Sequence, residues 1–288
     1  MTSNTHITVT LTSELRLVQA LIEADIEDPA KITRLSVAGM ITNNDFAYIR
    51  ENMGKTLQEL DMLDALFETG IIGWEGLKGC SGLKSVIIPD SVELIDNWVF
   101  EGCTGLTSVA IPASVKSIGS SAFRDCTGLT SISIPASVIT IGSGAFGGCT
   151  GLTSVAIPDS VTEIGYVAFD GCTGLISVTI PASVIEIGEA AFCECSSLTS
   201  IEVHHDNPEY TSENGVLFNK DKSELIVFPA GRQGDYVIPD SVVKIRDWAF
   251  SDCAGLTSVT IPDSVKEIEE GTFVNCPAFI TVDPDNLI

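Results

Sequence analysis

The residue types that could carry chemistry are few, and their spacing does not suit it. His6, His204 and His205 are the only histidines. Catalysis of the Ser/His/Asp or Cys/His kind needs one of them beside a nucleophile, and the sequence shows no such arrangement. His204, His205 and Asp206 are consecutive. Two imidazoles and a carboxylate are metal ligands by type, but neighbours along an extended chain face opposite ways. The run therefore reads as a solvated turn, with a weak metal site as the alternative. Nine cysteines could mean disulfides, thiolate chemistry or zinc. Zinc wants four ligands, yet Cys193 and Cys195 are the only close pair and no histidine is near them. Residues 142–147, Gly-Ser-Gly-Ala-Phe-Gly, match a phosphate-binding G-x-G-x-x-G formally. No long helix follows to aim its N-terminal dipole at a phosphate. Carboxylates abound, but none pair off as an acid and a base with separated pKa values. The expectation is a non-enzymatic protein with no catalytic set, no cofactor and no metal.

Composition narrows the partners. Fifteen Lys+Arg stand against 39 Asp+Glu, a formal charge of −24. Nucleic acid and anionic membranes demand clustered bases, so neither is expected as a partner. No apolar run approaches the roughly 18–20 residues that span a bilayer, and no secretion signal is visible. The acids are uneven. Residues 111–179 hold four acids and two bases, whereas residues 180–288 hold nineteen acids.

The elements that would position these residues are set by a repeat. Ile-Pro recurs every 23 residues from Ile88 to Ile180, and again at Ile238 and Ile261. Phe100, Phe123, Phe146, Phe169, Phe192, Phe250 and Phe273 keep the same interval. So do Cys80, Cys103, Cys126, Cys149, Cys172, Cys195, Cys253 and Cys276. One register is longer by 35 residues, an insertion at about 203–237. Within a unit, Leu106, Val109 and Ile111 suit a short strand with one face buried, and Pro112 ends it because it has no N–H for a ladder. Val115 and Ile118 point inward from a second extended stretch. Gly119 suits a turn, a positive φ being one reason for glycine there. Ala122, Phe123 and Cys126 suggest a short helical or 3₁₀ segment. One unit cannot close a core, but stacked units bury a continuous one. The prediction is a right-handed solenoid of roughly nine coils with short parallel strands. Its in-register cysteines are reduced and buried as small hydrophobes, because parallel Cβ vectors do not suit disulfides.

Residues 1–55 read as an N-terminal cap and leading coil. Residues 7–10 suit a strand. Residues 12–24 suit a helix capped by Thr12 or Ser13, and 45–53 suit a second, with Phe46, Ile49 and Met53 on one face. Both helices are expected to cover the open end of the stack. Residues 56–283 form the solenoid and 284–288 a tail, with the Asp283–Asp285 acidic run beside a terminal cap.

The stretch from Leu106 to Cys126 and its echoes resembles the leucine-rich repeats of the BspA-like (Treponema pallidum) class. Asn207, Pro208 and Tyr210, then Asn214 to Phe218 and Leu225 to Pro229, look like that family's hairpin-bearing variant repeat. Leu35 to Phe46 and Leu57 to Asp61 look like its atypical leading coils, so the resemblance spans about 32–283. It implies an α/β-type leucine-rich repeat superhelix from a bacterial surface or secreted protein. It also implies adhesion to, or binding of, a macromolecule: a protein or glycan, host-derived ones included. The alternative to a binding or adhesion module is a scaffold or assembly protein acting by self-association, and a hydrolase using the insertion ranks below both; the chain itself is expected as a monomer or a weak self-associator.

Candidate contact residues follow from the pattern. The outward strand positions Ser108, Ala110, Ser131, Ser133, Ser154, Ala156, Ser177, Thr179, Ser200 and Glu202 form a small, polar stripe. Such faces are where repeat arrays bind. His204, His205 and Tyr210 are candidate contacts on the insertion. Trp98 and Trp248 share a slot that elsewhere holds Gly144, so they are expected on the surface as partner anchors.

Overall fold

The structure, a computed structural model, describes residues 5–282. Each 23-residue unit folds as one turn of a parallel β-solenoid. In the unit after Leu106, strand Ser108–Ala110 buries Val109 and exposes both neighbours. It pairs in parallel with Ser85–Ile87, Ser108 beside Ser85. Nine such strands, from Thr5–Leu11 to Ser200–Val203, form one continuous ladder. Three more, Gly234–Val237, Leu256–Ile261 and Phe279–Val282, form another. The solenoid thus has about 12 turns instead of nine, because the irregular N-terminal segment contributes full turns. A second side carries two-residue strands, from Ile71–Ile72 to Glu186–Ile187, six in all.

The third side holds the phenylalanines, and here the expected helical segment is absent. The backbone N–H groups of Ser121, Phe123 and Asp125 donate to the carbonyls of Ser143, Ala145 and Gly147 in the next turn, at 2.8, 2.8 and 2.7 Å. A helix would have used those donors internally. It would also need about 8–10 Å to its neighbour, whereas stacked strands sit about 4.8 Å apart. Only a flat corner fits that repeat. Its backbone turns at two left-handed residues, Ser121 (φ 53°) and Asp125 (φ 57°), and their register equivalents. The positive φ is therefore not at Gly119. That glycine allows close approach instead: a Cβ there would lie 2.7 Å from the Asp96 carbonyl carbon.

Through the regular turns before the insertion the core is one column. Rings from Phe100 to Phe192 stack with centroids 5.0–5.5 Å apart. Among the described residues, helices are confined to the N-terminal end. Helix α1 (Leu17–Glu23) starts later than expected. Thr12 does not cap it, since its hydroxyl accepts from the amides of Glu14 and Leu15 ahead of the helix. Helix α2 spans Asn43–Met53. Both sit in connections between successive strands, with Leu17, Leu21, Phe46 and Ile49 in the same core as the repeats. The outermost strand of the ladder is Thr5–Leu11. At the other end the chain after Cys276 supplies the last strand. The tail 284–288 and the Asp283–Asp285 run lie outside the described residues.

The insertion is a wall inside the solenoid. Strands Tyr210–Glu213 and Val216–Asn219 form an antiparallel hairpin. Asn214 and Gly215 both have positive φ (50° and 78°), as a two-residue hairpin turn requires. Strand Glu224–Val227 then joins Lys244–Ile245 in parallel. Alternation along Val216–Asn219 divides the interior. Leu217 packs into the core of the preceding turns, and Val216 and Phe218 into a second core with Phe228, Phe250 and Val259.

Candidate ligand-binding face

The parallel register turns the outward strand residues into two ladders. Ser108, Ser131, Ser154, Ser177 and Ser200 form one; Ala110, Ser133, Ala156, Thr179 and Glu202 form the other. All are exposed except Ser200, which is half-buried. With turns about 4.8 Å apart, the result is a flat field of hydroxyls and methyls. Its borders are charged. At the N-terminal edge Arg34 and Glu59 form an ion pair of 3.0 Å. A depression of about 150 Å³ lies there, lined by His6, Arg34, Glu59, Asp61 and Ser85 among others. At the other edge stands Glu202, followed by the wall.

The insertion does not present all three residues expected of it. His204 and His205 are exposed on the turn that leaves the last regular strand, with ring centroids 4.5 Å apart. His205 Nε2 lies 3.3 Å from Asp206. The potential ligand atoms of His204, His205 and Asp206 fall within 4.8 Å of one another, all on exposed side chains. Tyr210 is buried and leaves the set of surface contacts. Its hydroxyl accepts the Ile187 N–H at 2.9 Å, closing the edge of the second-side ladder where no further regular turn follows. Burial pushes the Tyr210 phenol up from its ordinary range.

A residue that sequence reading passed over does most at this junction. Asn207 is fully buried. Its amide donates to the carbonyls of Pro181 and Val184 at 2.8 and 2.9 Å, and its Oδ1 accepts from the amides of Glu209 and Tyr210. In regular turns a serine of the next coil serves the Val184-type carbonyl: Ser114 donates to Val92, Ser137 to Val115 and Ser160 to Val138, each at 2.6 Å. Those serines stand 22 residues after their valine, whereas Asn207 stands 23 after Val184; it occupies the core slot that Val115, Val138, Val161 and Val184 fill in earlier turns, and a polar residue in that slot is the signal the register count carries.

Trp98 and Trp248 are half-buried at positive φ, 58° and 60°. Trp98 packs edge-on against Trp74, with centroids 5.8 Å apart. Trp74 is 59% exposed. It occupies a different slot one turn earlier, so a search along the Trp98 register misses it. Trp248 lies against Gly271. The glycines of the 142–147 run hold ordinary corner positions.

Among the described residues all nine cysteines are free thiols. They are more than small hydrophobes. Cys126 Sγ donates to the Phe100 carbonyl and Cys149 Sγ to Phe123, both at 3.1 Å, a pattern shared by Cys103, Cys172 and Cys195. Burial pushes the Cys149 thiol up to about 12. Cys193 is half-buried, and desolvation raises it to about 11 despite a hydrogen bond with Ser251. These thiols stay protonated at neutral pH, which removes nucleophilic reactivity. No helix among the described residues is long and apolar enough to cross a membrane.

Known proteins agree with this geometry. A leucine rich cell surface protein from Faecalibacterium prausnitzii is 32% identical with a TM-score of 0.59; the match covers 79% of this chain and 64% of that one. A leucine-rich repeat protein from Eubacterium ventriosum is 25% identical with a TM-score of 0.50, covering 62% of this chain and 60% of that one. A leucine-rich repeat protein from Bacteroides ovatus, 24% identical with a TM-score of 0.56, shares the fold over 95% of this chain and 58% of its own. The chain spans less than two thirds of the length of each. Comparison with functionally curated proteins gives no match. The pattern of the BspA type leucine rich repeat region matches in six copies across residues 60–164, 116–233 and 227–287. With the 23-residue turn, the phenylalanine column and the cysteine ladder all in phase over those residues, the chain belongs to the BspA-type leucine-rich repeat family.

Proposed function

We propose that the protein is a non-enzymatic binding module of a bacterial surface or secreted protein, and that it holds a macromolecular ligand on its strand face. The observation that carries this reading is the paired ladder from Ser108 and Ala110 to Ser177 and Thr179. Side chains in these four turns are small and uncharged, and every one is exposed over a rigid parallel sheet. Small side chains lose little conformational entropy when covered, and the sheet is already ordered, so the cost of association is low. The charged borders would fix the position of a partner along the axis, since rim charges govern specificity more than affinity. His204 and His205 sit at the C-terminal rim and extend the same surface. Trp74 and Trp98 form a second contact region on the corner side, where a partly exposed aromatic pair is suited to anchoring.

The test is an affinity screen of the full chain against host matrix proteins, glycans and bacterial surface proteins, repeated with Ser131→Lys/Ser154→Lys. Two lysines in the centre of the stripe put unpaired charge into any interface there. The expected result is a micromolar ligand for the native chain and a loss of about tenfold or more, ~1.4 kcal/mol, in the variant. A native chain that binds nothing, or a variant that binds equally well, overturns the proposal.

A further inference from the structure

A groove of about 670 Å³ lies beside the entry to the first strands, far larger than the depression on the strand face. Three of the nine lysines of this −24 chain line it: Lys31, Lys55 and Lys84. They come from three successive turns. Lys31 precedes strand Ile32–Met40, Lys55 follows α2, and Lys84 precedes Ser85–Ile87. The backbone stacks these turns directly, Gln58 N–H donating to Thr33 O at 2.8 Å and Lys84 N–H to Gln58 O at 2.7 Å. At about 4.8 Å per turn, the three turns that carry these lysines span roughly 10 Å along the solenoid axis. The remaining wall is threonine, glutamine, serine and glycine with a single alanine; no carboxylate and no aromatic lines it.

This charge has little internal explanation. Lys84 Nζ donates to the Gln58 side chain at 3.0 Å. Lys31 meets Asp28 at 3.5 Å, with both side chains well exposed. Among the described residues Lys55 takes part in no ion pair or hydrogen bond through its side chain. Like charges around one concave surface raise its potential and draw in anions. A protein segment is a poorer occupant, because protein interfaces draw their energy from buried aromatic and aliphatic anchors and this wall offers no aromatic and no aliphatic side chain larger than one alanine to pack against them. Hydroxyl and amide groups instead suit a polyhydroxylated ligand, and the volume falls in the ordinary range for small ligands, about 300–1,000 Å³.

We propose that this groove binds a segment of an acidic oligosaccharide, its carboxylate or sulfate groups meeting Lys31, Lys55 and Lys84 and its hydroxyls meeting Thr56, Gln58 and Ser81. The site is separate from the strand face and does not depend on it.

Titration calorimetry of the full chain tests this with five probes: a heparin-derived tetrasaccharide, tetragalacturonate, neutral maltotetraose, an oligoglutamate peptide and inorganic sulfate. The first two distinguish sulfate-bearing from carboxylate-bearing sugars. At least one of them binds, and the binding weakens as salt is added. The triple variant Lys31→Gln/Lys55→Gln/Lys84→Gln, checked for an unchanged melting curve, loses about tenfold or more in affinity. The Ser131→Lys/Ser154→Lys variant keeps it, so failure here and failure of the strand-face proposal are told apart. Several results overturn the proposal: neither acidic sugar binding at millimolar concentration, equal binding by the triple variant, or maltotetraose, oligoglutamate or sulfate binding as tightly as the acidic sugars.

Discussion

Cys149 shows how a single residue is shaped by the stack. Its thiol fills a slot in the core and also donates to Phe123 O of the preceding turn, a carbonyl that already accepts the Cys126 N–H. Cys149→Ala removes both the volume and the donor and is expected to cost about 1–3 kcal/mol. Cys149→Ser keeps a donor facing the same carbonyl and is expected to cost less; urea midpoints of the two variants check the order. Protonation adds a second readout. The folded thiol is raised to about 12 from 9.0, so the unfolded chain loses this proton first and stability falls as pH rises from about 9 toward 12. Cys149→Ala removes one thiol's share of that alkaline fall, the other buried cysteines being raised by burial as well. Asp170 behaves analogously in the acid range. Half-burial first, then the Glu194 carboxylate, push it up to about 6 from 3.8. The folded state therefore holds the proton more tightly, and stability falls as pH rises from about 4 through 6. Asp170→Asn is expected to raise the melting temperature at pH 7 and to leave it nearly unchanged at pH 4. The inward direction of the cysteines was legible from their phase. The carbonyl each one serves was not, because it lies 26 residues back on a backbone whose corner geometry a one-dimensional pattern does not carry.

Among the elements, the corner and the junction are the most informative. Ala122 to Cys126 has helix-compatible spacing, yet tertiary spacing decides against a helix. Three N–H donors per turn are spent on the next turn, and the phenylalanine rings stack at 5.0–5.5 Å. That is close to strand spacing, so the corner side and the strand side advance almost equally and the array gains little curvature. The junction depends on Asn207, whose four hydrogen bonds replace those of a missing turn. Asn207→Ala leaves two buried carbonyls and two amides without that partner and is expected to destabilise by about 2–4 kcal/mol. Asn207→Asp, which lacks the amide donors, is expected to be no better. Chemical denaturation of both variants checks this.

At the scale of the whole molecule the insertion separates two cores. Leu217 and Phe218 are adjacent in sequence and belong to different ones. Phe218→Ala is expected to cost about 3–5 kcal/mol, and hydrogen exchange is expected to show faster opening in residues 238–261 than in 106–180. Leu217→Ala is expected to bias the opening the other way. Uniform acceleration along the chain in both variants would contradict two separable units. The repeat, its period, the inward and outward faces and the small polar stripe were all determined by the sequence itself. In a solenoid each unit meets a copy of itself, so one-dimensional phase translates directly into neighbourhood. What phase does not contain, the tertiary structure decided: that Tyr210 turns inward, that Trp74 meets Trp98, that the insertion is an internal wall, and that Lys31, Lys55 and Lys84 share one groove. These residues lie in irregular turns or in different slots. Their neighbours are set by how the backbone closes in three dimensions and not by a constant 23-residue step.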